Sequence, residues 1–330
     1  MDNFIVLAME ATTMEVDKET QISLPQNLQG FSEVDTAIKK QELLDKLCYQ
    51  YKYDYRNRLI EKKIPGKDDW EYIIYDKLDR PVITQDAHLR TLGKWLFTSY
   101  DSFGRVAYTG KVYRPSWARS TMQNHVDTGS YKLFMQQDSS SPPINGVIIY
   151  YPKNFLNTTY VSESNIEILT INYYDTYIDL PTGFTAPTTV YSQTVTTKTK
   201  GLATVSKVRV LDTNDWITTL TYYDKKARPI YVYSKNDYLN TTDIVENKYN
   251  FIELIETKTT HKKTGQIDII AYDYFDYDHA GRLISQKQNI NSQGDELIVK
   301  NHYDELGQLI KKDVGNTEAS PLQEVDYTYN

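Results

Sequence analysis

The chain has 330 residues, 40% of them hydrophobic, with 29 Tyr against 9 Phe and 4 Trp, and a formal net charge of -7 with both signs interspersed. It has no basic patch for nucleic acid and no apolar run of membrane-spanning length. Met1-Asp2-Asn3-Phe4 lacks the basic and apolar regions of a signal peptide. One cysteine, Cys48, excludes an internal disulfide and leaves the compartment open.

Residues 1–47 read as a lead-in. Ser32 followed by Val34, Ala37, Ile38, Leu44 and Leu47 fits a capped amphipathic helix, and equally a lead-in strand with its loop. Over 48–110 a phrase appears three times: Tyr, Asp, two free positions, a turn-permissive residue, Arg, then an apolar residue or Pro. The copies are Tyr53-Asp54…Asn57-Arg58-Leu59, Tyr75-Asp76…Asp79-Arg80-Pro81 and Tyr100-Asp101…Gly104-Arg105-Val106. Residues 111–200 are divergent. Gln137 to Pro143 reads as a loop; Val147–Tyr151 and Ile168–Tyr174 read as strands. The Thr-rich stretch Thr182–Thr199 reads as a long excursion or an insertion at one edge. Tyr151 and Tyr174-Asp175 fall at multiples of the step, and slots near 125 and 199 follow from the period alone. From 201 to 330 the phrase returns as Tyr223-Asp224…Ala227-Arg228-Pro229, Tyr277-Asp278…Gly281-Arg282-Leu283 and Tyr303-Asp304…Gly307-Gln308-Leu309. A worn copy stands at Tyr249-Asn250…Glu253-Leu254, and Tyr327-Thr328-Tyr329-Asn330 reads as the start of one more unit, so a longer parent polypeptide is expected.

Asp favours the first position of a type I turn, because its carboxylate accepts the backbone N–H groups just ahead. The fourth position of Asp-x-x-Gly turns left-handed and completes a hairpin with a G1 bulge, which Gly, Asn and Asp tolerate. Ala227 and Glu253 break that rule, so their turns are expected to be distorted or of another type. Pro81 and Pro229 begin return strands, where a missing N–H is tolerated. The fold class is therefore all-β, an array of hairpins of about 25 residues per unit, each leaning on its neighbours. Tyr supplies a large ring and a hydroxyl that reaches water or a neighbour's carbonyl. The motif arginines pair with a neighbouring Asp, lie over a Tyr ring, or stand solvated.

The phrase Tyr-Asp-x-x-Gly-Arg-Leu at this period resembles the YD repeats of the RHS (rearrangement hot spot) family, well over 48–110 and 201–330 and loosely between. The runs Gly201 to Asp224 and Lys94 to Asp101 look like the large surface-associated or secreted bacterial versions. The resemblance implies a continuous, spiralling antiparallel β-strip that closes into a hollow shell. It also implies a scaffold role around a C-terminal toxin or other cargo carried elsewhere on the polypeptide, or adhesion at a cell surface. An extracellular or cell-surface location follows by the same analogy, with secretion machinery, for instance of type IX, as a partner.

Asp54, Asp76, Asp101, Asp224, Asp278 and Asp304 occupy equivalent turn positions, whereas a catalytic pair needs two different environments. A calcium β-roll would place several acidic residues in each loop, and here there are one or two. His88, His125, His261, His279 and His302 show no metal-ligand spacing. Cys48 reads as a small buried residue. The expectation is a non-enzymatic chain without cofactor or metal, with a Tyr-rich glycan-binding module as the alternative.

Overall fold

A computed structural model describes residues 3–8, 45–67, 69–129, 131–152 and 163–329. The segment from Ser32 to Leu47, read as either a helix or a lead-in strand with its loop, lies almost wholly outside these residues; of it only 45–47 are described, and they are helical. The fold is all-β with two helices of note, and the strands named below pair antiparallel among the described residues. The chain forms two compact units, Met1–Leu169 and Thr170–Asn330.

In the first unit, β1 (Asn3–Ala8) pairs with β2 (Cys48–Tyr53). Then follow β3 (Leu59–Lys63), β4 (Glu71–Tyr75), β5 (Pro81–Gln85), β6 (Lys94–Tyr100) and β7 (Val106–Tyr113), each paired with the one before. A short helix α1 (Ala87–Thr91), capped by the Asp86 carboxylate on the Leu89 N–H, joins β5 to β6. After β7 the period-two pattern gives way to α2 (Arg119–Thr128) and a looped stretch to residue 152. Met122 and Val126 of α2 are buried, as are Met135, Ile144, Ile149 and Tyr151 of the stretch and Ile74, Ile83, Trp95, Phe97 and Tyr108 of the strands. Tyr108 stacks on Tyr151 and donates to the Pro152 carbonyl at 3.0 Å. Tyr151 is thus a core residue and begins no repeat, and the slot near 125 lies inside α2.

β8 (Ile166–Tyr174) enters the second unit at Thr170 and pairs there with β11 (Ala203–Arg209). Between them run β9 (Thr189–Val190) and β10 (Gln193–Thr194), a small hairpin of their own. The remaining strands pair in chain order: β12 (Trp216–Tyr223), β13 (Pro229–Asn236), β14 (Thr241–Tyr249), β15 (Leu254–Lys263) and β16 (Ile269–Tyr277). They continue as β17 (Leu283–Ile290), β18 (Asp295–Tyr303), β19 (Leu309–Thr317) and β20 (Ser320–Asp326). The excursion 176–198 crosses the face of this sheet and is not confined to its edge. Tyr177 stacks on Tyr222 at 4.2 Å, and Phe184 packs on Tyr222 and Tyr233. Tyr173, Val205, Leu220, Tyr222 and Ile230 form the core there. Among the described residues after Ile230, Leu297 alone is a buried apolar side chain. Cross-strand ion pairs stand among these strands instead, such as Glu246–Lys258 at 2.8 Å and Lys287–Glu318–Lys300 at 2.7 Å. Each contributes a few tenths of a kcal/mol, about as much as other exposed cross-strand pairs.

Candidate functional site, the repeated turn and its clasp

The six full copies of the phrase build one turn. The Asp N–H donates to the carbonyl four residues on, at 3.0 Å for Asp54 to Arg58, 3.0 Å for Asp76 to Arg80 and 2.9 Å for Asp101 to Arg105. The bonds from Asp224 to Arg228, Asp278 to Arg282 and Asp304 to Gln308 measure 2.9, 3.0 and 2.9 Å. The Asp carbonyl accepts the N–H of Asn57, Asp79, Gly104, Ala227, Gly281 or Gly307, and these residues all have positive φ, between 58° and 84°. This is the type I turn with a G1 bulge. In five copies the Asp Oδ1 accepts two N–H groups, those of Arg56 and Arg58 in the first, of Leu78 and Arg80 in the second and of Phe103 and Arg105 in the third. Asp224 and Asp278 do the same for Lys226 with Arg228 and Ala280 with Arg282. The Oδ2 of each takes the arginine Nε at 2.6–2.8 Å. Asp304, followed by Gln308, keeps only the bond from the Gln308 N–H.

Ala227 therefore makes the ordinary turn, because the turn's hydrogen bonds outweigh the cost of a Cβ at positive φ. The Glu253 copy is of another type. Asn250 bonds Glu253 three residues on, and Tyr249 pairs with Leu254, where Tyr53 pairs with Leu59, so the loop is one residue short and Glu253 is not left-handed. A further copy is interrupted. Tyr174 pairs with Ala203, the Asp175 N–H donates to the Leu202 carbonyl, and Asp175 Oδ1 accepts from Gly201, whose φ is 89°. Tyr174-Asp175 and Thr199-Lys200-Gly201-Leu202-Ala203 are two halves of one phrase, and residues 176–198 are inserted in its turn. The expected slot near 199 is the second half of the unit at 174.

Three of these carboxylates, Asp54, Asp224 and Asp278, are held below the usual carboxylate value. Burial alone raises the Asp54 and Asp224 carboxyls, but the N–H groups and guanidinium of Arg58 and Arg228 outweigh it and hold both below the usual carboxylate value. The Arg282 N–H does most to lower Asp278.

One turn also holds the next. Arg58 lies over the Tyr75 ring at 5.0 Å, Arg80 over Tyr100 at 4.6 Å, Arg228 over Tyr249 at 4.3 Å and Arg282 over Tyr303 at 4.5 Å. The hydroxyl of each ring donates to the carbonyl just past that arginine. Tyr75 reaches Leu59 at 2.8 Å, Tyr100 reaches Pro81 at 2.8 Å, Tyr249 reaches Pro229 at 3.3 Å and Tyr303 reaches Leu283 at 3.0 Å. Tyr223 to Ala203 and Tyr329 to Leu309 repeat the bond without the arginine. Burial pushes the Tyr75, Tyr100 and Tyr249 hydroxyls up from their ordinary value. Tyr277, following the short turn, has neither the arginine nor the carbonyl. Tyr53 precedes the first described turn.

Among the described residues no group of three or more His, Cys, Asp or Glu is placed to hold a metal ion, and no helix is long and apolar enough to cross a membrane. His302 and His261 each pair with a single aspartate, Asp313 and Asp243. Cys48 is buried, and burial raises its thiol.

No family model matches the chain, and no curated protein matches it. Among solved structures, the crystal structure of a complex of TcdB2, TccC3 and Cdc42 is similar over 89% of this chain and 14% of that one, at 14% identity and a TM-score of 0.29. This chain thus spans about one seventh of that chain's length.

Proposed function

We propose that the chain is a non-catalytic structural segment of a secreted or cell-surface protein of RHS type, and that its hairpins build a wall around, or beneath, something the rest of the polypeptide carries. The clasp carries this reading. The motif Asp, Arg and Tyr side chains spend their polar atoms and ring faces on the chain itself, each turn closing on itself and gripping its neighbour. Such residues propagate a sheet and leave little for a substrate. On this reading the partners are the remaining parts of the same polypeptide, among them a cargo or toxin domain, with secretion machinery acting before assembly.

Electron cryomicroscopy of the protein purified from its native source, with and without protease, tests the proposal. A hollow β-walled particle whose interior polypeptide survives proteolysis is expected. A solid particle, or an open ribbon with nothing enclosed or displayed, would overturn it.

A further inference from the structure

The clasp leaves a gap. Because the return strand carries an extra residue just past each turn, strands of adjacent repeats part company before the turn edge. β13 and β14 stop pairing at Tyr231↔Glu246, and β17 and β18 at the equivalent Ser285↔Lys300. Beyond that point Asn247 Nδ2 and Tyr249 Oη both reach the Pro229 carbonyl, and Asn301 Nδ2 and Tyr303 Oη both reach Leu283. Side chains thus replace the ladder, and the backbone of the residues Asn-x-Tyr faces the gap.

In the first of these gaps a guest is seated. Gln193 accepts from the Tyr249 N–H at 3.2 Å and donates to the Asn247 carbonyl at 2.9 Å, its carboxamide standing in for a missing peptide group. The same carbonyl position, two residues before the motif Tyr, is met elsewhere by a tyrosine hydroxyl. Tyr177 donates to Thr221, and in the first unit Tyr131 donates to Thr98, each at 2.8 Å. Gln123 of α2 serves Tyr75 likewise, accepting from its N–H and donating to its carbonyl. Four repeats are served in this way, by elements of unrelated structure. No described side chain or loop bonds the Tyr303 N–H or the Asn301 carbonyl from the gap, and the buried Asn301 Oδ1 has no partner. The inserted segment covers the same face as far as Tyr191, which lies against Lys248, and the seam row continues beyond it.

We propose that the seam between β17 and β18 is a docking slot for an extended polypeptide that presents a glutamine carboxamide to the Asn301 carbonyl and Tyr303 N–H, as Gln193 does two units earlier. The occupant is a partner segment. Its specificity comes from the paired donor and acceptor, which a carboxylate or an ammonium cannot match at once. Backbone groups supply the bonds, so binding survives changes in the flanking side chains and depends on the carboxamide.

A synthetic peptide of residues 186–199, which contains Gln193, serves as the probe against the full chain, with a Gln193→Glu peptide as control. Saturable binding is expected, with slowed hydrogen exchange at 300–304 and at least a tenfold weaker affinity for the control. Equal binding of the two peptides would overturn the proposal, as would protection confined to 246–250, which would mean exchange with the chain's own segment. Absence of saturable binding up to millimolar peptide would also overturn it. Loss of the shell reading would leave this result untouched, because the slot is tested on the chain alone.

Discussion

At the scale of single residues, five of the six turns are set by a carboxylate that does two things at once: it fixes two N–H groups and pairs with an arginine. Because Asp54, Asp224 and Asp278 are held below the ordinary carboxylate value, their stabilising effect is complete above the unfolded value of about 3.9 and is lost as pH falls through the lower native values. Thermal melts should therefore be flat from pH 7 to about pH 5 and drop below pH 4, with the drop reduced in Asp224→Asn; an unchanged melting temperature at pH 3 would contradict this. The left-handed position makes a second prediction. Gly104 and Gly281 have φ of 78° with no close obstruction, but Ala227 holds a Cβ at 60°. Ala227→Gly should stabilise the second unit by about 1 kcal/mol, as read in denaturant midpoints, since glycine removes the left-handed cost. A destabilised variant would count against that cost. Most of the turn was legible in the sequence, because Asp-x-x-Gly states both its hydrogen-bond acceptor and its backbone conformation. The sense of the arginine was not: pairing with Asp and stacking on Tyr were alternatives, and the structure has one guanidinium do both at Arg58, Arg80, Arg228 and Arg282.

At the scale of elements, the period located hairpins well and failed where the chain left the sheet. α2 is not legible in the sequence, because Arg119–Thr128 buries only Met122 and Val126, too few apolar positions to mark a helical face. The insertion was hidden more thoroughly. Tyr174-Asp175 and Gly201-Leu202-Ala203 were both visible, but nothing in composition says that they close one turn across 176–198. Local reasoning cannot see a bond such as Asp175 to Leu202. The short turn at Asn250 was half legible: Glu253 flagged the fault, while the missing residue showed only in the pairing of Tyr249 with Leu254. The split turn predicts the outcome of an excision. Removal of 176–198 leaves Tyr174-Asp175-Thr199-Lys200-Gly201-Leu202-Ala203, an uninterrupted phrase. The shortened chain should keep amide protection in β8 and β11 while losing it around Tyr222 and Tyr249, whose covers Tyr177, Phe184 and Gln193 are gone. Loss of protection in β8 and β11 themselves would show that the insertion holds the turn together.

At the scale of the whole molecule, each unit draws on two sources of stability in different proportion. The first unit buries Trp95, Phe97, Tyr108 and Tyr151 beneath helix and loop, whereas the second, beyond Ile230, runs on as a sheet with little apolar cover. A hairpin alone is marginal in water, so the bare strands must take support from their neighbours. The clasp is what the structure offers for that purpose. Its ring-to-guanidinium contact and its hydroxyl bond are each worth on the order of 1 kcal/mol. The junction at Tyr277, which has neither, should be the weakest in the second unit. A double-mutant cycle between Arg282 and Tyr303 measures the coupling directly. Arg282→Ala, Tyr303→Leu and their combination are compared through the opening free energies of amides 295–303 by hydrogen exchange. The structure predicts that the double variant loses less than the two single variants together, with an interaction of about 1 kcal/mol between residues that belong to different turns. Strict additivity would mean that neighbouring turns do not hold one another.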